Sequence, residues 1–280
     1  MVMVNSLGRV GVWRRSAELS PELAAELERL GYGAVWVGSS PGGDLAQIEE
    51  LLDATSTLVV ATGIVNIWKD DALSIGAAWH RITARHPGRF LLGVGIGHPE
   101  AAGARYAQPY DALVAYLDQL DEAKVLPSER AVAALGPRVL RLAAARSLGA
   151  HPYLTTPGHT RLARELIGDG VLLAPEQKVV LNPDPAAARV VARAGIALYL
   201  GLVNYTNHLR RLGYTDADFA AGGSDRLVDG LVAHGDAAAV AARVTEHLDA
   251  GADHVAIQLL TAPGEDPVDG YRRLADALIG

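Results

Sequence analysis

Residues 88 to 100, GRFLLGVGIGHPE, run an apolar strand through Gly93, Gly95 and Gly97 directly into His98 and Pro99. Glycines two apart leave one strand face without side chains, so an aromatic ring or a backbone edge can approach closely. His98 then stands at the rim, and an imidazole, whose ordinary pKa is about 6.5, suits proton transfer near neutral pH. Pro99 restricts His98 to an extended backbone that aims it inward. A dinucleotide loop is excluded, because His98 occupies the third glycine of G-x-G-x-x-G and Pro99 sits where the phosphate-binding helix would continue. The alternative is a glycine-kinked barrel strand with no ligand.

Three other places could do chemistry. Leu135-Gly136-Pro137-Arg138 leads a strand through glycine into a helix with proline in its first turn. Its free N–H groups and partial positive charge, with Arg138 close by, would seat a phosphate, unless this is an ordinary strand-to-helix turn. Lys178 lies in the apolar run APEQKVVL, so it meets an anion, pairs with Glu176, offers an imine-forming amine, or snorkels outward. In ATGIVNIWKDD, from Ala61 to Asp71, Gly63 and Asn66 interrupt a long strand and predict a bulge. Asn66 there either hydrogen-bonds a heterocycle edge or caps loop backbone. Ser39 and Ser40 follow the second strand, but no serine has a nucleophile-elbow context. The histidines form no H-x-H or H-E-x-x-H pattern, so no metal site is expected, and His151, His159 and His254 read as structural.

The elements that must position these residues alternate regularly. Eight apolar runs (9–13, 34–37, 58–66, 90–96, 131–135, 150–154, 172–181 and 254–260) are separated by helix-period segments, which predicts an α/β fold, a single (β/α)8 barrel spanning 1–280. Ser20-Pro21, Thr156-Pro157 and Asp184-Pro185 mark helix starts, and Gly31, Gly149 and Gly251 mark helix ends. Insertions are expected after the fourth strand, from His98 to Pro109, and after the seventh, through Asn204, Tyr205, Asn207, His208 and DFAAGGSDR. Active sites of such barrels gather at the strands' C-terminal ends, so both insertions belong to the functional face.

At 280 residues and 50% hydrophobic content the chain can bury a full core. The absence of cysteine excludes disulfides, thiolate metal sites and cysteine nucleophiles. A net charge of -7 without a Lys/Arg run argues against nucleic-acid or anionic-membrane binding. MVMVNSLGRV carries no signal-peptide pattern, and a cytoplasmic location is expected. A final helix, Pro267 to Leu278, would close the outer ring or join a dimer surface, and a homodimer is expected.

These stretches together resemble the luciferase-like monooxygenase superfamily, in particular its oxidoreductases that use the deazaflavin coenzyme F-420. The resemblance runs through LGRVGVW, LGYGAVWV, TGIVNIW, HPGRFLLGVGIGHPE, ALGPRVLRLAA, HPYLTTPGHTRLARELIG, LLAPEQKVVLNPDP, NYTNHLRRLGYTDADF, GGSDRLVDGLVAHGD and DAGADHVAIQLL. It implies a flavin-type ring at the C-terminal mouth and a non-proline cis peptide between Gly63 and Ile64 that props the ring. It implies further that Asn66 meets the ring's polar edge, that Gly97 and His98 flank it, and that Gly136 with Arg138 takes the phosphate. Thr156, Gly158 and His159 are additional phosphate-side candidates, and Lys178, Ser39 and Asn204 are candidates to face substrate. The chain departs from relatives that carry acidic or histidine residues where Ser39 and Ser40 stand, and glutamate where His98 stands. The expected activity is hydride transfer between coenzyme F-420 and a small organic substrate, with His98 as acid/base. The alternatives are an FMN-dependent monooxygenase, a cofactor-binding paralogue without turnover, and a Schiff-base lyase acting through Lys178.

Overall fold

A computed structural model describes residues 4–98, 108–262 and 264–280. Its strands are β1 Val10–Arg15, β2 Ala34–Gly38, β3 Val59–Gly63, β4 Val65–Asn66, β5 Phe90–Gly95, β6 Arg130–Val132, β7 Gly149–Ala150, β8 Leu172–Leu173, β9 Glu176–Val180, β10 Val232–His234 and β11 Val255–Leu259. They form one curled sheet in the order β10-β9-β11-β1-β2-β3-β5-β6-β7-β8, with β4 also on β5. Every pairing in it is parallel. All eight apolar runs are therefore strands. The third is broken at Ile64 into β3 and β4, and the seventh is broken at Ala174-Pro175 into β8 and β9. The sequence pattern did not indicate β10, which pairs His234 with Val180 beside the end of β9.

Strands buried on both faces need apolar residues at consecutive positions, which is why these runs stood out. Alternation still sorts the two faces. Val10, Val12, Val35, Val37, Val60, Leu92, Val132 and Ile257 pack outward with the helices. Trp13, Ala34, Trp36, Ala61, Leu91, Ala131, Ala174 and Ala256 pack inward on one another. Small residues inside leave room for the two tryptophans.

The helices are α1 Pro21–Arg29, α2 Ala46–Asp53, α3 Ala72–Arg85, α4 Pro109–Glu122, α5 Pro137–Arg146, α6 Pro157–Ile167, α7 Pro185–Leu200, α8 Val203–Arg211, α9 Asp216–Phe219, α10 Asp225–Leu231, α11 Ala237–Asp249 and α12 Val268–Leu278. Ser20, Asp71, Thr156, Asp184 and Asp236 each cap a helix by accepting a backbone N–H from its first turn. Between β9 and β10 the chain makes a helical excursion, α7 to α10, and α7 and α8 meet at a bend of 109°. No single helix among the described residues is long and apolar enough to cross a membrane. Most of the loop expected from His98 to Pro109 lies outside the described residues.

Four histidines are sealed into this framework. His151 bonds the Ala174 carbonyl through Nδ1 at 2.7 Å and stacks on Trp36 at 4.1 Å. His254 lies 3.1 Å from Trp36 Nε1, His247 joins Thr160 and Gln177 at 2.8 Å each, and His208 meets Thr155 at 3.1 Å. Burial pushes His151 and His254 down to about 4, and His208 and His247 down to about 3. These groups stay neutral when folded and take up protons only on unfolding. Stability is therefore complete above about pH 6.5 and is lost as pH falls toward 4, by about 1.4 kcal/mol per pH unit for each histidine. Urea midpoints measured from pH 7 to 4 should fall steeply across that window, and a flat profile would contradict these burials.

Candidate functional site

A cavity of about 510 Å³ opens at the C-terminal ends of the strands. The strands from β2 to β7 contribute at their last residues or just beyond them, and β1 contributes from its middle. β1 supplies Trp13, the turn after β2 supplies Ser39 and Ser40, and β3 and β4 supply Gly63 and Asn66 with Ile64 between them. Gly97 and His98 follow β5, Gly136 follows β6, His151 and Tyr153 follow β7, and the excursion brings Tyr199, Asn204, Tyr205 and Arg211. Ser39 and Ser40 both hold left-handed backbone, with φ 64° and 51°, and Lys69 Nζ donates to the Ser40 carbonyl at 3.1 Å.

Eight of the residues expected from sequence are thus brought to one cavity: Ser39, Gly63, Ile64, Asn66, Gly97, His98, Gly136 and Asn204. The Gly63–Ile64 peptide is cis, as the resemblance implies. Asn66 is tied down locally, because its Oδ1 accepts the Trp68 N–H at 2.9 Å. Its amide nitrogen packs against Gly97, where φ is +65° and a side chain has no room. His98 Nδ1 lies 3.4 Å from Asn204 Nδ2, and its ring sits 5.4 Å from that of Tyr205.

Five expected residues lie elsewhere. Arg138 is corrected by geometry: as the second residue of α5 it points away from the cavity, with its guanidinium 3.5 Å from the Tyr110 ring centroid and 3.8 Å from Asp111. Thr156 uses its hydroxyl to cap α6 by accepting the His159 N–H, and Gly158 lies in that same first turn. His159 donates from Nε2 to the Leu135 carbonyl at 2.9 Å and faces a smaller cleft of about 320 Å³ that shares Leu135, His208 and Arg211 with the main cavity. Lys178 is likewise corrected as a substrate contact. It is 1% exposed and donates to Glu176, Gln258 and Tyr153 at 3.0, 2.6 and 2.7 Å, so its amine is not presented to the cavity. The pairing with Glu176, two residues back on the same strand face, is the reading that holds.

Arg211 was not legible as a site residue. It approaches from the end of α8, and its guanidinium lies 3.7 Å from where a side chain at Gly136 would begin. No hydrogen bond or ion pair engages it among the described residues, and it is the only charged side chain lining the cavity among them. Gly136 caps α5 with no side chain, so the helix N-terminus and Arg211 together suit an anion.

Deeper in, Trp13 Nε1 and His151 Nε2 are buried without partners among the described residues. With Nδ1 of His151 donating to a carbonyl, its Nε2 is an acceptor, while the indole N–H is a donor. Both lie beside Gly63: a Cβ there would come within 2.7 Å of Trp13 Nε1 and 3.4 Å of His151 Nε2. A bare glycine wall, unsatisfied polar atoms at its floor and an anion seat at its rim fit a flat heterocycle that carries a phosphate.

A model of the luciferase-like monooxygenase family matches residues 3–123, from ahead of β1 through α4, and the resemblance seen in the sequence is shown at that level. No curated protein sequence matches the chain. Among solved structures, a coenzyme F-420-dependent secondary alcohol dehydrogenase in complex with an F-420–acetone adduct is 14% identical, with 97% of this chain and 98% of that one covered and a TM-score of 0.75. The coenzyme F-420-dependent tetrahydromethanopterin reductase of Methanopyrus kandleri is 15% identical, with 97% and 98% covered and a TM-score of 0.67. The oxygenating constituent of a Pseudomonas putida diketocamphane monooxygenase, in complex with FMN, is 15% identical, with 95% of each chain covered and a TM-score of 0.67. These TM-scores over nearly the whole of each chain establish the shared TIM-barrel-like fold.

Replacing Gly63 by Ala should push Trp13 from its seat and destabilise the fold by about 1 to 3 kcal/mol, the usual cost of overpacking. Near-ultraviolet circular dichroism and tryptophan emission should change while the far-ultraviolet spectrum stays constant; unchanged tryptophan signals would show that the glycine is not needed for space.

Proposed function

We propose that this luciferase-like chain is an oxidoreductase that binds the deazaflavin coenzyme F-420 in the strand-end cavity and transfers hydride between it and a small organic substrate. One observation carries the reading: the wall made by Gly63, Gly97 and Gly136 ends at an uncapped helix N-terminus beside the unpaired Arg211. Fold neighbours that use F-420 or FMN support it without distinguishing the two.

The coenzyme supplies a carbon that gives or takes hydride; the chain supplies everything around it. Gly63 and Gly97 let the ring lie flat, and Arg211 with Gly136 takes the phosphate. The anion is better placed against Arg211 than Arg138, whose charge is turned toward Tyr110 and Asp111. Ile96, Leu135 and Val139 line the cavity too, so the ring would be shielded from bulk water. His98 stands at the mouth, where it can exchange a proton with substrate or solvent.

Titration of the protein with oxidised and reduced F-420 and with FMN tests this reading. F-420 should saturate one site per chain, Arg211→Ala should weaken it by about 1 to 3 kcal/mol, roughly ten- to a hundredfold, and Arg138→Ala should have no more than a small effect. Binding of FMN alone would replace the reading with a flavin monooxygenase. His98→Ala should lower turnover about a hundredfold or more while changing the coenzyme dissociation constant little, and wild-type turnover would reduce His98 to a loop residue.

A further inference from the structure

The geometry points to Tyr199 as the group that exchanges a proton with the substrate's oxygen, supplied through Tyr153 from the buried amine of Lys178. This rests on the oxidoreductase reading and adds a residue and a substrate class to it: the substrate carries a carbonyl or, in the reverse direction, a hydroxyl.

Lys178, on β9, has three N–H donors and no acceptor, and each donor is committed. Glu176 Oε1 takes one at 3.0 Å, Gln258 Oε1 takes one at 2.6 Å, and the Tyr153 hydroxyl oxygen takes the third at 2.7 Å. Tyr153 must therefore direct its own proton elsewhere. Two acceptors are within its reach, the Tyr199 oxygen at 2.7 Å and Gln258 Oε1 at 2.9 Å, and the relay uses the orientation toward the nearer, Tyr199. With the Tyr153 proton on Tyr199, the Tyr199 hydroxyl is left to donate outward. Both tyrosines line the cavity and Lys178 does not, so the chain of donors runs from the barrel interior to the substrate space.

The charges around this chain suit it. Nζ of Lys178 lies 4.0 Å from the Tyr153 ring centroid and 5.1 Å from that of Tyr199, which holds positive charge against both rings. Burial pushes the Lys178 amine down and Arg15 adds to this, while Glu176 opposes it, so the ammonium is a stronger acid than an exposed lysine. Burial pushes Tyr199 up, with Glu176 adding to the shift and Tyr153 and Arg15 opposing it, so its phenol stays protonated and able to donate at neutral pH. A buried lysine–glutamate pair is a poor source of stability compared with apolar packing. Its connection to the cavity gives it a different use.

In the direction of carbonyl reduction, the coenzyme, once bound and reduced, would supply hydride for the new C–H bond as the C=O π bond breaks. The carbonyl oxygen takes the Tyr199 proton, Tyr199 takes that of Tyr153, and Tyr153 takes one from Lys178. The amine is left neutral and regains a proton from solvent by the same path once the alcohol leaves. Alcohol oxidation runs each transfer backwards. Tyr199 alone touches substrate; Tyr153 and Lys178 position it and replace its proton.

Two measurements on coenzyme-free protein test this. With tyrosine labelled at Cζ and lysine at Cε, Lys178 is one of only three lysines to assign, the others being Lys69 and Lys124. The Tyr199 carbon should move in the same pH titration as Lys178 in the wild type and stop following it in Tyr153→Phe. A Tyr199 that never follows Lys178, or follows it equally in the variant, overturns the relay. Cyclohexanone should bind Tyr199→Phe about five- to twentyfold more weakly than wild type, as expected for one lost hydrogen bond, while methylenecyclohexane binds both alike. Equal losses, or none, would remove Tyr199 from the substrate's oxygen. Failure of the wild type to bind F-420 would overturn the coenzyme reading and leave the relay result standing on its own.

Discussion

A parallel sheet closes on itself only when its two outer strands find partners, and in this molecule the run from Leu172 to Val180 pairs with β7 at one end and β11 at the other. At its start it lies on β7, where Leu172 pairs with Gly149 and the Ala174 N–H reaches the Ala150 carbonyl at 2.9 Å. Farther along, the Glu176 N–H still bonds Pro152 at 2.8 Å, while the Pro175 carbonyl accepts from Ala256 on β11 at 2.9 Å. Proline costs the run one donor at the point where it changes partners. The curl that follows gathers the strand ends into a ring, so that side chains far apart in sequence share one cavity.

The same curl makes the interior narrow, and bulky polar side chains fit there only where facing strands yield space. Gly38 lies against the Trp13 ring closely enough to exclude any Cβ, and Gly63 approaches it from the next strand. Trp13 in turn lies 5.0 Å from Tyr153, and Tyr153 leads to Tyr199 at 5.3 Å and Tyr205 at 6.3 Å. Lys178 sits behind this aromatic wall. Its charge reaches the cavity only through hydroxyl groups and ring faces, which is a different use of a buried cation from direct contact with an anionic substrate.

The framework was legible in the sequence because burial on both sheet faces leaves an unmistakable mark, and because proline after a capping residue marks a helix start wherever it occurs. The cavity wall was legible for residues whose position follows from the strand that carries them: Gly63, Asn66, Gly97, His98 and Gly136. What was hidden depends on helix phase and on long-range approach. Arg138 and Arg211 are equally basic, yet the direction each takes is set by its place on its own helix, and only the folded excursion brings Arg211 to Gly136. Pairing of Lys178 with Glu176 was visible from their spacing on one strand, but Gln258 and Tyr153 come from opposite neighbouring strands. Tyr199, in an apolar helix, looks like any packed aromatic until its hydroxyl partner is known.

The excursion from α7 to α10 leaves the barrel at Val180 and returns at Val232, and β10 pairs Ala233 with Val179 and His234 with Val180. Its two ends are therefore neighbours fixed by the sheet itself, whatever lies between them. Closing such a loop costs little more when it is lengthened, since the entropy of closure grows only with the logarithm of its length. Selection can thus rebuild this segment, and with it Tyr199, Asn204, Tyr205 and Arg211, while the barrel and its glycine wall stay as they are. The architecture separates two parts: a barrel whose strand register fixes one side of the cavity, and an excursion that can be exchanged without disturbing that register.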